Sequence, residues 1–572
     1  MASLDPNSSA IARVPSSGSA AVRWSSTILD RLAVIRFYGT YKPEEVQPLI
    51  NEEISTINLA LRALYAELNQ YSPSSRLPPE IVSYIFSILS EGDHPHRVKG
   101  SPCNGLVRDT LGWITATHVC RRWRHIALET PILWRHVRLS LGVVWAEEIA
   151  KRAQSQPLHV TLDLAGRSTD RSIAAVCNFM ATYLPRIQSL YLEDSSRFVQ
   201  QVVKCLKHPM PLLESFEIIT MPRETGWSFP NELFIGTNTP RLHRLVMAGC
   251  QSFNLAPPVL RQLICLDIDG ELEDHQHLRR ALAALGEMPS LERLTMRHCY
   301  DRDTLWDPPT FIAPLSPTLS SLILSGHFVH TMSLLRQLRI PPTTRLALTC
   351  HSKGHAHAYP ALFECLAEST FPMRSPFSHV IFSTQAKTVA MDAWRMPNRD
   401  ISPECGAQRQ DGPPPDLHLS FTWMYSRRGD HAPLMKAILE DVLSVEHLED
   451  LELHGVEASL ARQTWREHYG RARALRSLHI QEHNVQTLCE ALTADDQSPV
   501  PFLPCLAELQ VKGFRDDLVQ PLHDAFKVRN ADDFPLQRLV LESTSDGDHN
   551  EQKLSQLRAV IPNVICFGVD FE

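Results

Sequence analysis

Beyond Pro157 one short pattern keeps returning along the chain: an apolar residue, any two residues, an apolar residue, any one residue, and an apolar residue. Its middle and last apolar positions are Leu190/Leu192, Phe216/Ile218, Leu245/Met247, Leu266/Ile268, Leu294/Met296, Leu322/Leu324 and Leu346/Leu348. The pattern resumes at Leu451/Leu453, Leu478/Ile480, Leu509/Val511, Leu539/Leu541 and Phe567/Val569, with weaker copies at Val380/Phe382 and Leu417/Leu419. Neighbouring copies lie 21 to 37 residues apart, the spacing of a repeat that holds one short strand and one returning helix or loop. A single copy occurs by chance, whereas a long series constrains the fold. Proline stands two residues ahead of the motif's first apolar position in Pro185/Ile187, Pro211/Leu213, Pro240/Leu242, Pro289/Leu291, Pro317/Leu319, Pro504/Leu506 and Pro562/Val564. There it ends the preceding helix and starts the extended run.

This half resembles an irregular leucine-rich-repeat solenoid over residues 157–572, interrupted by a long exposed loop at about 385–415, where Pro403 and Pro413 to Pro415 fall. That family places Asn or Cys three positions past the last apolar residue. Cys250 and Cys299 fit, and Ser195 and Thr544 could substitute, but Met221, Glu271, Val456 and Phe514 do not. The resemblance implies that the residue between the last two apolar positions projects from the inner face of the sheet. The expected target-binding surface therefore includes Tyr191, Glu217, Asp267, Glu452 and His479, with Arg297 one step later. Its mixture of acids, bases and apolar groups suits a protein ligand more than a polyanion.

The N-terminal part reads differently. Residues 1–43 are expected to form a largely disordered arm, since their first stretch is rich in Ser and Ala and poor in groups to bury. Residues 44–70 carry Val46, Leu49, Ile50, Ile54, Ile57, Leu61, Leu64 and Leu68 at steps of one, three and four, one stripe of an amphipathic helix. Two readings of that stripe stay open: a short dimerising coiled coil, or packing against the segment that follows.

That segment contains two blocks, Leu77-Pro-Pro-Glu-Ile-Val-Ser-Tyr-Ile-Phe86 and His118-Val-Cys-Arg-Arg-Trp-Arg-His-Ile-Ala127, separated by a polar insertion at about 90–112. The prolines suit the first turn of a helix, where a missing amide hydrogen costs little. A second helical segment is expected from about Trp113 to Leu128, followed by Ile132-Leu133-Trp134 as a hydrophobic clamp. Together the blocks resemble an F-box over residues 77–139, of the two-part form common in fungal F-box proteins. The resemblance implies helices that dock on a Skp-type adaptor, and through it a cullin scaffold, as part of an SCF-type ubiquitin ligase. The residues it places at the adaptor are Leu77, Pro78, Ile81, Ile85, Val119 and Trp123. Phe86, Leu89, Ile126 and Trp134 are expected in the module's own core.

The overall expectation is thus an α/β chain: short N-terminal helices with a helical F-box, then the repeat solenoid. In function it is a substrate-recognition subunit, with a ligase-independent binding scaffold as the alternative. A formal charge of −8 gives no general attraction to phosphate backbones, and Arg121, Arg122 and Arg124 alone are too few to indicate nucleic acid. No apolar run approaches the roughly 20 residues that span a bilayer. The start of the chain lacks a secretory signal and the 13 cysteines are scattered, so reduced thiols in cytoplasm or nucleus are expected. No phosphate-binding loop, dinucleotide fingerprint, nucleophile elbow or zinc-protease helix is present in the sequence, and neither enzyme activity nor a cofactor is expected. Cys350, His351, His355 and His357 are the nearest approach to a metal site, but zinc sites favour ligands from separated elements, and no metal is assigned.

Overall fold

The computed structural model describes residues 17–37, 43–98, 108–163, 170–206, 208–220, 227–228, 239–252, 254–256, 258–270, 275–299, 311–352, 376–385, 388–395, 413–423, 434–435, 438–443, 445–455, 460–493, 501–543 and 551–568. The chain divides into two compact units, Met1–Leu133 and Trp134–Glu572.

The first unit is helical. Helices α1 (Ser17–Phe37) and α2 (Pro43–Gln70) are joined by an ion pair between Arg31 and Glu53. Helix α1 corrects the expected disordered arm over much of its length, because Val22, Ile28, Leu29 and Leu32 add a periodic apolar set to the Ser/Ala-rich start. Residues 1–16 lie outside the described residues. On α2 the expected stripe is present but uncovered: Ile54, Ile57, Leu61, Leu64 and Leu68 are all exposed. The helices that follow therefore do not cover it, which removes the reading that the stripe packs against them.

Helix α3 (Pro79–Gly92) starts with Pro78 as its cap residue, Pro79 in its first turn and Glu80 beside the positive end of the helix dipole. It ends where the Asp93 amide donates to the Leu89 carbonyl at 2.9 Å. The insertion expected as a polar loop has an ordered stem instead: strands His96–Val98 and Arg108–Thr110 pair antiparallel, His96 opposite Thr110. At its base Asp93 accepts from the Trp113 amide at 2.8 Å. Gly112 makes this closure possible. Its φ is +51°, and a Cβ there would lie 2.5 Å from the Asp93 carbonyl oxygen.

The expected single helix from Trp113 is split into a 3-10 segment, Gly112–His118, and helix α4 (Arg121–Leu128). Cys120 between them is extended, φ −154° and ψ 167°, and its Sγ accepts the Trp123 amide at 3.5 Å. That is an N-cap made by a thiol, weaker than one made by a hydroxyl or carboxylate.

The second unit is mixed α/β, built on a large and mostly parallel sheet. From His136–Arg138 the pairings run through Leu158–Asp163, Ile187–Asp194, Ser215–Thr220, Arg244–Ala248, Cys265–Asp269, Arg293–Arg297 and Ser321–His327 to Arg345–Ser352. They continue from Asp450–His454 through Ser477–Gln481, Glu508–Lys512 and Arg538–Ser543 to Asn563–Gly568. Most returns between strands are short helices or 3-10 segments.

The repeated apolar positions explain why these strands pair as they do. Leu245, Leu266, Leu294, Leu322 and Leu346 stand side by side in one row, and Met247, Ile268, Met296, Leu324 and Leu348 in the next. All ten are buried. A slip of one residue would turn every one to the other face of the sheet, so burial fixes the register. The prolines also find a more specific role than expected. Pro211, Pro240, Pro289, Pro317 and Pro504 each occupy the second position of a turn. The carbonyls of Met210, Thr239, Met288, Ser316 and Leu503 accept the amides of Leu213, Leu242, Leu291, Leu319 and Leu506 at 3.1 to 3.3 Å. Proline's fixed φ favours that position. Just past such turns one carbonyl takes two successive amides of the next strand: Glu214 from His243 and Arg244, Ile264 from Glu292 and Arg293, Arg476 from Ala507 and Glu508.

The expectation of a leucine-rich-repeat solenoid is corrected here to this mostly parallel sheet, because the chain order of the strands is broken in the middle. Arg345–Ser352 pairs not with the next strand but with Leu417–Trp423. Thr388–Trp394 lies antiparallel between Leu417–Trp423 and His379–Gln385, and only the last of these pairs with Asp450–His454. The stretch expected as a loop at 385–415 thus contributes a strand, with Val389, Met391 and Ala393 fully buried. The apolar rows survive the reversal: Leu417 and Leu419 align with Leu346 and Leu348, and Val380 and Phe382 with Leu451 and Leu453. The last copy of the motif is also displaced. Val564 and Cys566, not Phe567 and Val569, align with Leu539 and Leu541, because a continuous apolar run leaves its frame undefined in sequence. Cys299 is buried with its Sγ near the carbonyls of Ile268 (3.6 Å) and Arg297 (3.3 Å), and burial pushes its thiol pKa up.

Candidate functional site

The face of α3 follows from which of its apolar residues the neighbouring helical segments can reach. Val82, Phe86 and Ser90, spaced by four, are buried. Phe86 is the hub: its ring lies 5.4 Å from that of Trp123 in an edge-on arrangement and 6.4 Å from that of Trp113, within the range of favourable aromatic pairs. Ile81, Tyr84, Ile85 and Ile88, spaced by three, four and seven from the first, remain exposed at 46, 66, 40 and 57%. They make a continuous aliphatic and aromatic stripe on the opposite side of the same helix.

Of the six residues expected at an adaptor, Ile81, Ile85, Val119 and Pro78 are exposed, and Leu77 and Trp123 are half-buried. Ile81 and Ile85 belong to the stripe. Val119 caps the Gly112–His118 segment, its amide donating to the Ala116 carbonyl at 3.3 Å. Leu77 is held through its backbone, since the Arg122 guanidinium donates to its carbonyl and also reaches that of Ser74 at 3.5 Å. Trp123 leans on Phe86, so it serves the module's packing as well as its surface.

Two expected core residues are placed elsewhere. Leu89 is 41% exposed, because the buried line of α3 runs through Val82, Phe86 and Ser90. Trp134 is buried but belongs to the second unit, where the Arg152 guanidinium lies 4.6 Å above its ring. Sequence reasoning missed Tyr84 and Ile88. The signal was the spacing from Ile81, masked because apolar residues occupy more than half the circumference of the helix.

The residues expected to meet a target fall into two environments. Tyr191 and Glu217 are register neighbours, Asp267 shares their row, and Arg297 lies in the adjoining one. Their polar groups are satisfied by one another or by nearby side chains: Arg297 with Asp267 at 3.1 Å, Arg244 with Glu217 at 2.9 Å, and the Tyr191 hydroxyl donating to Glu193 at 2.6 Å. Burial raises the Tyr191 pKa, assisted by that carboxylate. Burial also raises the Asp267 pKa against the opposing pull of Arg297.

Glu452 corrects the expectation of a displayed side chain. Only 6% of it is exposed, and it lies among His454 (3.0 Å), His379 (3.7 Å) and His479 (3.7 Å). The Trp394 ring from the reversed strand packs 5.0 Å from His379. The reversed strand that sequence reasoning read as a loop therefore helps to wall in this cluster.

Cys350 is fully buried and its thiol pKa is pushed up to about 12 by desolvation, while His355 and His357 lie outside the described residues. Among the described residues no group of histidines, cysteines and carboxylates is placed to hold a metal ion, and no helix is long and apolar enough to cross a membrane.

Residues 74–140 match the F-box-like family model. The matched span contains both sequence blocks, the insertion between them, all of α3 and α4, and the exposed stripe. No curated protein matches the chain. An F-box-like domain in general marks docking on a Skp-type adaptor.

Proposed function

We propose that this protein is the substrate-recognition subunit of a cullin-based, SCF-type ubiquitin ligase. Its F-box-like domain docks on a Skp-type adaptor through the α3 stripe, with Pro78, Ile81, Ile85 and Val119 in contact and Leu77 and Trp123 supporting them. The strand-lined surface around Tyr191, Glu217, Asp267 and Arg297 receives a target protein. The chain then contributes no bond chemistry of its own. It acts by holding the target near a ubiquitin-loaded enzyme, which turns a bimolecular encounter into one of high effective concentration.

The observation that carries this reading is the uncovered stripe within the F-box-like match. Each large apolar side chain contributes about 1.5 to 3 kcal/mol when fully buried, so burying the exposed parts of three isoleucines and a tyrosine can support a stable interface after the costs of association. The test is co-purification of the full chain with a Skp-type adaptor, repeated with Ile81→Asp plus Ile85→Asp. Both positions are exposed, so the variant is expected to fold and to lose the adaptor. Failure of the folded native chain to bind any Skp-type adaptor would overturn the reading and favour a ligase-independent scaffold.

A further inference from the structure

Helix α2 and the start of α4 line a cavity of about 900 Å³, at the upper end of the range for small-molecule sites. Its walls carry Arg62 from α2, Arg121, Arg122 and Arg124 from α4, and His118 from the segment before it, with no carboxylate among them. Only the α4 arginines are neighbours in sequence. Folding brings Arg62 to them across about 60 residues of chain.

Elsewhere in the protein arginines beside acids are paired: Arg31 with Glu53, Arg244 with Glu217, Arg261 with Glu287, Arg515 with Glu482, Arg538 with Glu508. The four cavity arginines have no carboxylate partner among the described residues; Arg122 alone is held, by the Ser74 and Leu77 carbonyls. A guanidinium keeps its charge throughout the physiological pH range, so an anion entering the cavity meets several fixed positive charges. The amino end of α4 points the same way, because its Cys120 cap satisfies only the Trp123 amide, and the free amides of a helix start favour an anion. Asn69, Gln70 and Ser75 add neutral hydrogen-bonding groups to the wall.

We propose that the cavity between α2 and the start of α4 is a binding site for a small anion carrying two or more phosphate groups. Several guanidiniums around one space match several phosphate oxygens, each able to take a forked pair of hydrogen bonds. A bound anion would tie α2 to α4, and so to the helix that carries Trp123.

Isothermal titration of the full chain with inorganic tripolyphosphate, at physiological salt, is the test, with inorganic phosphate as comparison. The expected result is one equivalent bound, inorganic phosphate at least about ten-fold weaker, and a loss of about ten-fold or more for Arg62→Ala and again for Arg121→Ala plus Arg124→Ala. Arg122 is left intact because it also holds the α3 entry. Circular dichroism of each variant checks that the helices persist. Vesicles containing a phosphoinositide bisphosphate form the second arm. Capture that tripolyphosphate competes away assigns the anion to a lipid headgroup, and titration heat without capture assigns it to a soluble polyphosphate. No heat, several weak equivalents that vanish at physiological salt, or full affinity in a folded Arg62→Ala variant would each overturn the site. None of these outcomes depends on adaptor binding, which is read by co-purification with the Ile81→Asp plus Ile85→Asp variant.

Discussion

The two units use the same residue types in opposite ways. In the sheet unit Leu294, Leu322, Leu478 and Leu509 are at most 1% exposed, whereas in the helical unit Ile54, Leu64, Ile85 and Ile88 are 40 to 57% exposed. Both sets are periodic in sequence. A strand that is paired on both sides and covered by returning helices buries its aliphatic row within one chain. A short helix packs one line of side chains on its neighbours and leaves the other line to the solvent or to a partner. Contiguous exposed apolar stripes are a feature of interaction surfaces. The comparison therefore separates side chains that hold the fold from side chains available to partners.

The largest contrast is expected between a buried position of the sheet and an exposed one of the helical unit. Leu478→Ala removes a fully buried row position between Leu451 and Leu509 and is expected to cost about 2 to 5 kcal/mol. Ile85→Ala, on the exposed line of α3, is expected to cost less than about 1 kcal/mol. Denaturant unfolding of both variants, followed separately for each unit, checks this. Equal costs would show that the exposed stripe is part of the fold after all.

An intermediate effect is expected within the helical unit. Gly112→Ala forces a side chain onto a positive-φ residue whose Cβ would meet the Asp93 carbonyl at 2.5 Å. It is expected to cost about 1 to 3 kcal/mol and to loosen the stem that joins α3 to the segment before α4. The readouts are thermal unfolding and proteolysis between residues 93 and 112. A variant as stable and as resistant as the native protein would show that the insertion is not anchored there.

Much of this was legible in the sequence, and the failures share a cause. Apart from the last copy, the apolar rows of the sheet were read correctly because strand periodicity and a long series of copies agree. The F-box-like blocks were legible because Pro78 and Pro79 fix a helix start and the run from His118 to Ala127 stays recognisable despite the insertion between them. What the sequence could not divide was a helix with apolar residues on both faces. Ile81, Val82, Ile85, Phe86, Ile88 and Leu89 satisfy the helical period whichever line is buried, and only the positions of Trp113 and Trp123 choose the line through Val82 and Phe86. The reversed strand at Thr388–Trp394 was hidden for a similar reason. Its alternation of Val389, Met391 and Ala393 is local, while its antiparallel partners are set by the return of the chain. Arg62 carried no signal of its own, since its companions are distant in sequence.

The smallest expected effect concerns acid, and it distinguishes the units by their solvation. In the sheet unit, burial lowers the pKa of His351, with the neighbouring His298 adding to the effect, and His298 in turn pairs with Asp269 at 2.9 Å. The two imidazoles stack with centroids 6.4 Å apart. Burial likewise lowers the pKa of His483 against the opposing pull of Glu482. A histidine whose folded pKa lies below its unfolded value binds its proton first in the unfolded chain. Stability is then lost as pH falls through the ordinary histidine value of 6.5 and levels off below the folded value. Because both rings are partly solvated the effect is modest. A slight fall in the melting temperature of the sheet unit is expected between pH 7.5 and 5.5, reduced in His351→Gln. A melting temperature that rises on acidification would show that His351 gains a partner when protonated, most directly the Asp269 carboxylate now held by His298, and an unchanged slope in the variant would show that His351 does not set the pH dependence.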